Sequence, residues 1–512
     1  MFDGALELAD AECSVIHAQA VDRTADADVD AAYRALLERF LALHERIVDS
    51  LPPVESGALI ARAGIHAAVA LESVPLAPLR ITSIDLSGWD LSDKRDGSGA
   101  GASVALVSLF LGIAGLPRLR RLSLNACGLP GGATSRILAT LAAGLTPRLE
   151  ELDLGCENEA ASAATSRNTF WGAGFFALAE AISAVSGTLT TLNLSACGVY
   201  RDVMVMLSPA LQRCARLQQL SLAGNGFRAP TFAVFAAALP ALTQLESLDL
   251  GGNELGSEAI TTLTGALVSL RCLRSLGLRG MGTKSLDNDE ACAGLATALA
   301  SLPVLEALDL RESAFGHSLG WRDDDRAADR AASFFSCIRR LPSLRILRAG
   351  ALATSSTEAL TAALNAVIGS PGTLESLQLN AANMRGPLSA LLGDALAALP
   401  RLQHLDVAVG CFTVVPAVLG IMQSIARAPW LRYLKLRSSG GMFYGIDGSS
   451  GRREGLVTLL SSLPALREFR LVEGTAAVTA ASTARPNYAG IREAAPAECI
   501  VFLDWELSYV IA

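Results

Sequence analysis

Side chains suited to proton transfer, nucleophilic attack or metal ligation are few and scattered. The five histidines, His17, His44, His66, His317 and His404, share no ligand spacing. Ten cysteines (Cys13, Cys127, Cys156, Cys197, Cys214, Cys272, Cys292, Cys337, Cys411 and Cys499) include no CxxC, which argues against a zinc site or a disulfide framework. The acids Asp323–Asp325, with Asp287, Asp289 and Glu290, could attract calcium, but no glycine-punctuated ligand loop accompanies them, so they read as a solvated loop. In GLRGMGTKS (Gly277–Ser285), Thr283 separates the last glycine from Lys284, whereas a phosphate-cradling loop needs the two adjacent. HExxH does not occur; the GxSxG spacing occurs once, as GHSLG (Gly316–Gly320). The expectation is a chain without catalytic residues, cofactor or metal.

Composition narrows the class further. The 512 residues are 51% hydrophobic and 18% charged, with mean hydropathy +0.39, which excludes global disorder. A formal net charge of −8 argues against nucleic acid as the main partner, since neutralising phosphates requires a strongly basic face. The N-terminus, MFDGALELADAECSV, bears acids where a targeting peptide bears Arg or Lys. Apolar runs such as Ala102–Pro117 fall short of the roughly 20 residues a spanning helix needs. A cytoplasmic protein with no membrane insertion is expected.

What must position any functional residues is a repeat. The pattern LxxLxLxx(N/C)xL appears as LRRLSLNACGL (Leu119–Leu129), LTTLNLSACGV (Leu189–Val199), LQQLSLAGNGF (Leu217–Phe227) and LESLDLGGNEL (Leu245–Leu255). Degraded copies start at Ile81, Leu149, Leu273, Leu305, Leu344, Leu374, Leu402, Leu431 and Leu466. The step is 28 residues from Leu189 through Leu217 and Leu245 to Leu273. Between these segments, Ile260, Leu263, Leu267 and Leu270 recur at helical spacing.

Over roughly residues 79–475 the chain resembles the leucine-rich repeat family, and in repeat length its ribonuclease-inhibitor-like subfamily. The resemblance implies an α/β solenoid, a horseshoe of about 13 strand–helix units with a parallel sheet on the concave face and helices on the convex face. It also implies that Asn225, Asn253, Cys127 and Cys197 satisfy backbone groups at the turn, and that the usual activity is protein binding. Residues 1–78 read as a helical cap, from the spacing of Ala32, Leu36, Leu37, Phe40, Leu41, Leu43 and Ile47. Residues 476–512 read as a tail whose strand-like segment Cys499–Ile511 covers the last repeat. Ser50–Ile65 is similar to the start of an F-box, the docking module of ubiquitin-ligase adaptors. The repeat array is also similar to that of Ran GTPase-activating proteins, although their acidic tail is missing.

A non-catalytic scaffold for protein partners is therefore expected, with two surfaces on which to bind them. On the sheet, Thr190, Thr191, Asn193, Ser195, Gln218, Gln219 and Ser221 should present a small, neutral face. Glu150, Glu151 and Asp153 should be acidic. Arg345, Arg348, Arg432, Tyr433, Lys435, Arg437 and Arg470 should offer a basic C-terminal stretch to an acidic partner. Along one edge, the insertions Asp93–Gly101, Glu157–Gly172, Thr283–Glu290, Gly316–Ala331 and Ser438–Gly451 carry Trp171, Trp321, Phe443 and Tyr444, with Arg322 beside them. Aromatics and arginine dominate binding energy when desolvated.

Overall fold

In each repeat, two leucines separated by one residue lie on the same side of an extended chain. Leu122 and Leu124, Leu192 and Leu194, and Leu220 and Leu222 are all buried. The computed structural model describes residues 83–85, 87, 119–129, 131–143, 146–156, 168, 170, 173–282, 286, 288–313, 327–349, 357–370, 372–380, 387–409, 415–438, 449–474 and 491–506. These fall into two units, Met1–Leu248 and Asp249–Ala512.

The first unit contains β1 (Ser83–Asp85), β2 (Arg121–Ser123), α1 (Gly131–Ala142), β3 (Glu151–Asp153), α2 (Ala173–Val185), β4 (Thr191–Asn193), α3 (Arg201–Gln212), β5 (Gln219–Ser221) and α4 (Ala229–Ala236). Strands β1 to β5 pair in sequence order and in parallel, with Leu122, Leu152, Leu192 and Leu220 directly in register. β6 (Ser247–Asp249) spans the division.

The second unit continues with α5 (Gly256–Leu267), β7 (Ser275–Gly277), α6 (Asp289–Ala300), β8 (Ala307–Asp309), α7 (Ala327–Phe335), β9 (Ile346–Ala349), α8 (Thr357–Ile368), β10 (Ser376–Asn380) and α9 (Pro387–Ala397). It ends with β11 (His404–Val409), α10 (Val415–Ile425), β12 (Tyr433–Ser438), α11 (Ser449–Ser461), β13 (Glu468–Gly474), α12 (Ile491–Ala494) and β14 (Ile500–Glu506). Strands β7 to β14 are likewise parallel and sequential. The tail strand β14 sets Val501 and Leu503 beside Phe469 and Leu471 of β13, adding a fourteenth strand to the thirteen that the leucine pattern marks. Ile260, Leu263 and Leu267 are fully buried, so the helical stripe of α5 faces inward, and Leu270 just beyond the helix is buried with them.

Two features end the short strands. The residue seven places after a repeat's first leucine has positive φ at Ala126, Ala196, Gly224, Gly252, Gly280 and Glu312, which turns the chain out of the sheet. The next side chain is buried, and those of Cys127, Cys197, Asn225, Asn253 and Ser313 bond to backbone. Asn225 Nδ2 donates to the carbonyls of Leu194 (2.9 Å) and Leu222 (2.9 Å), while its Oδ1 accepts from Val199 N–H (3.0 Å). Cys197 donates to Leu154 O at 3.2 Å, and Ser313 Oγ to Leu278 O at 3.0 Å. Every strand from β1 to β8 is three residues long. In β11, β12 and β13 the corresponding residues, Val409, Ser438 and Glu473, remain in the strand, which reaches six or seven residues.

Candidate interaction surface

On the first unit's sheet, the expected acidic stretch is already neutralised. Glu150 pairs with Arg120 and Glu151 with Arg121, each at 2.9 Å across one strand spacing. Asp153 accepts from Asn125 Nδ2 and from the backbone N–H of Gly155, both at 3.1 Å, so it holds a turn rather than facing a partner. Asn193 and Ser195, expected on the exposed neutral face, are buried. The reason is that Asn193 Oδ1 folds back to accept from Ser195 N–H, and both side chains lie over the bare Cα of Gly155, where a Cβ would collide with them.

In the second unit the same lateral pairing recurs with different residues. Arg274 pairs with Glu306, and Arg345 with Glu375 at 2.8 Å; both pairs occupy the same repeat position as Arg120 and Glu150. Asp309 receives Arg311 at 2.7 Å and Arg348 at 3.6 Å. Arg437 pairs with Asp406 at 2.8 Å and Arg470 with Glu468 at 2.6 Å. Four of the expected basic residues, Arg345, Arg348, Arg437 and Arg470, are thus committed within the sheet. Arg432 and Lys435 have no ion pair among the described residues.

Aromatic rings gather on the same strands. The His404 and Tyr433 ring centroids are 5.7 Å apart on β11 and β12, and the Arg470 guanidinium lies 4.5 Å from the Phe502 ring centroid. Burial pushes the Tyr433 phenol above its ordinary pKa, so the ring stays neutral at physiological pH. Phe502 is 36% exposed and Ile500 59%. Neither was singled out in the sequence, because β14 has no leucine repeat to set its register.

Trp171, Trp321, Arg322, Phe443 and Tyr444 lie outside the described residues, as do Asp93–Gly101, Asp287 and Asp323–Asp325. The ends of the other insertions belong to the repeats. Asn168 is buried and donates to the carbonyls of Leu124 (2.7 Å) and Leu154 (2.8 Å), while accepting from Leu129 N–H (3.0 Å). These bonds match those of Asn225. Phe170 is also buried, stacked 5.7 Å from Phe175. Leu286 is fully buried, and Asn288 caps α6 by accepting from Glu290 N–H at 2.7 Å. Ala331 is buried in α7, and the adjacent Arg330 reaches Asp289 at 3.3 Å, so that carboxylate serves an ion pair. The segments assigned wholly to a binding edge are therefore shorter than the repeat arithmetic indicates.

Among the described residues, no three His, Cys, Asp or Glu side chains are grouped to hold a metal ion, and no helix is long and apolar enough to cross a membrane. The eight described cysteines are free thiols. Burial pushes Cys214 up to about 11 and Cys337 up to about 12, and it raises Cys197 further, with help from Asp153 and Cys156. Thiols so held are poor nucleophiles.

Repeating strand–turn–helix units, in-register parallel strands and a buried turn side chain make this a leucine-rich-repeat α/β solenoid. No protein-family model matches the sequence, and no curated protein does. Among solved structures, the chain is similar to the leucine-rich repeat-containing protein LegL7 from Legionella pneumophila at 19% identity, covering 67% of this chain and 97% of that one, with TM-score 0.37. It is also similar to the TLR13–ssRNA13 complex at 15% identity, covering 80% of this chain and 54% of that one, with TM-score 0.37. A third likeness is to the Rad7 and Elc1 complex in yeast, at 13% identity, covering 74% of this chain and 82% of that one, with TM-score 0.37. At this level of similarity none of them speaks to what the chain binds.

Proposed function

We propose that the chain is a non-catalytic protein–protein interaction scaffold of the ribonuclease-inhibitor-like type, working in the cytoplasm. In this reading residues 1–78 and 476–512 cap an array spanning 79–475. The partner binds the exposed sheet of the C-terminal repeats together with the strand-to-helix insertions. One observation carries the proposal: on β11 to β14, surplus cations and rings share a wide sheet face, while charges on the earlier strands are largely cancelled by neighbours. Arginine and aromatic side chains are the usual energetic anchors of protein interfaces.

Affinity purification of the full chain, with quantitative mass spectrometry, tests this. A partner retained by wild type should fall about tenfold, or ~1.4 kcal/mol, in the Trp321→Ala, Tyr444→Ala double variant, with melting temperature unchanged. Full retention would move the site away from the insertions.

A further inference from the structure

We infer that the exposed face of β12 to β14 is a docking site for an extended acidic protein segment bearing an apolar side chain about three residues from its carboxylates. This inference rests on the scaffold reading and names the class of partner.

The first argument is charge. One lateral row of the sheet runs Asp406, Lys435, Arg470, Phe502 across β11 to β14. Asp406 is taken by Arg437, and Arg470 by Glu468. Among the described residues, the Lys435 ammonium, one of only three lysines in the chain, and the Arg432 guanidinium, one residue ahead of the same strand, have no ion pair. Two positive charges beside Asp406 and Glu468, which are already paired, call for carboxylates.

The second argument is shape and polarity. Ile500 and Phe502 alternate onto one face of β14 and stay exposed; of the seven large apolar side chains exposed among the described residues, they are the two that lie in a strand. The Arg470 guanidinium covers one face of the Phe502 ring and holds it in place, and the exposed remainder of the ring with Ile500 forms an apolar patch beside the cations.

Spacing joins the two. Lys435 and Phe502 sit in one row two strands apart, ~10 Å at the usual inter-strand distance. A segment extended as polyproline II advances about 3.1 Å per residue with three residues per turn, so a carboxylate over Lys435 places its third neighbour, on the same side, over Phe502. Nucleic acid suits the site less well. Affinity for a phosphate backbone comes from many neutralised phosphates, whereas this face offers two free cations beside Asp406 and Glu468.

The probe is a fluorescein-labelled peptide, Ser-Glu-Glu-Ser-Ser-Phe-Ser, titrated by anisotropy against the full-length chain. Saturable binding is expected, weakened about tenfold by Lys435→Glu with Arg432→Glu and about tenfold by Phe502→Ala. The milder Lys435→Gln should weaken it less and flatten its salt dependence. Arg271→Glu, at an exposed position outside these strands, should leave it unchanged.

Equal binding of the peptide with Gln in place of Glu, or with Phe moved next to Glu, would overturn the assignment. So would tighter binding of a thymidine octanucleotide that displaces the peptide. Self-association by sedimentation that Phe502→Ala abolishes would assign the face to a second copy instead. If the peptide fails while the insertion variants still lose their captured partner, this inference falls and the scaffold reading stands. If the insertion variants keep their partner while the peptide binds as expected, the insertions fall and the docking face stands.

Discussion

Repeats up to β8 and those from β11 onward solve the same problem differently. In the earlier set a left-handed residue and a buried side chain turn the chain after three strand residues; in the later set the strand runs on for six or seven. The earlier repeats therefore expose a narrow ribbon of sheet, much of it filled by side chains that fold onto glycines or pair sideways. The later ones run on past the positions of Tyr433 and Lys435, through Leu436 to Ser438 in β12, and so expose a broader face. The difference shows that the residue ending a strand also sets how much sheet is available for binding.

The strongest way to break this comparison is to remove a turn side chain. Asn225→Ala strands one N–H and two carbonyls in a dry interior and should cost about 2–4 kcal/mol in denaturant melts. Asn168→Ala should cost the same within about 1 kcal/mol, because its bonds are equivalent. A negligible loss at Asn168 would show that the insertion closes by some other contact.

A pH series sharpens the picture at Cys197, where a thiol takes the place of the amide. Burial raises its pKa above the ordinary value of 9.0, so the folded chain holds its proton more tightly than the unfolded one. That stabilisation is complete below pH 9 and is lost as pH rises beyond it. The stability difference between wild type and Cys197→Val should therefore shift against wild type above pH 9, by at most ~1.4 kcal/mol per pH unit. A pH-independent difference would mean that the thiol is less dry than it stands here.

The smallest effect carries the clearest sign. Ala196 has φ 53° at the turn, so Ala196→Gly should stabilise the chain by about 0.5–1 kcal/mol. Val409 occupies the same repeat position within β11, and Val409→Gly should destabilise by a similar amount through chain entropy alone. Thermal melts that move both variants in one direction would erase the distinction between the two sets of repeats.

Much of the fold was legible because leucine spacing is a physical requirement of the layers. Leu250, Leu263 and Leu436 had to be inside wherever the repeat placed them, and they are. Asn168 was not legible: it closes its turn from the far end of an insertion, and no spacing rule reaches across a detour of that length. The pairing of Arg345 with Glu375 was equally hidden, since it depends on two residues 30 apart becoming lateral neighbours. The longer strands had a signal, a valine at Val409 where three earlier repeats carry Gly224, Gly252 and Gly280, but the leucine pattern says nothing of that position. The docking face depends on β14, whose single in-phase leucine, Leu503, makes no repeat pattern, so the strand takes its register from β13.

Asn168 also separates loop length from fold. Its three bonds fasten the returning chain to the array whatever lies between Cys156 and itself, much as a clasp closes a necklace with any number of beads. The chain can lengthen or change character there while the repeats on either side register nothing but the same asparagine arriving at the same rung.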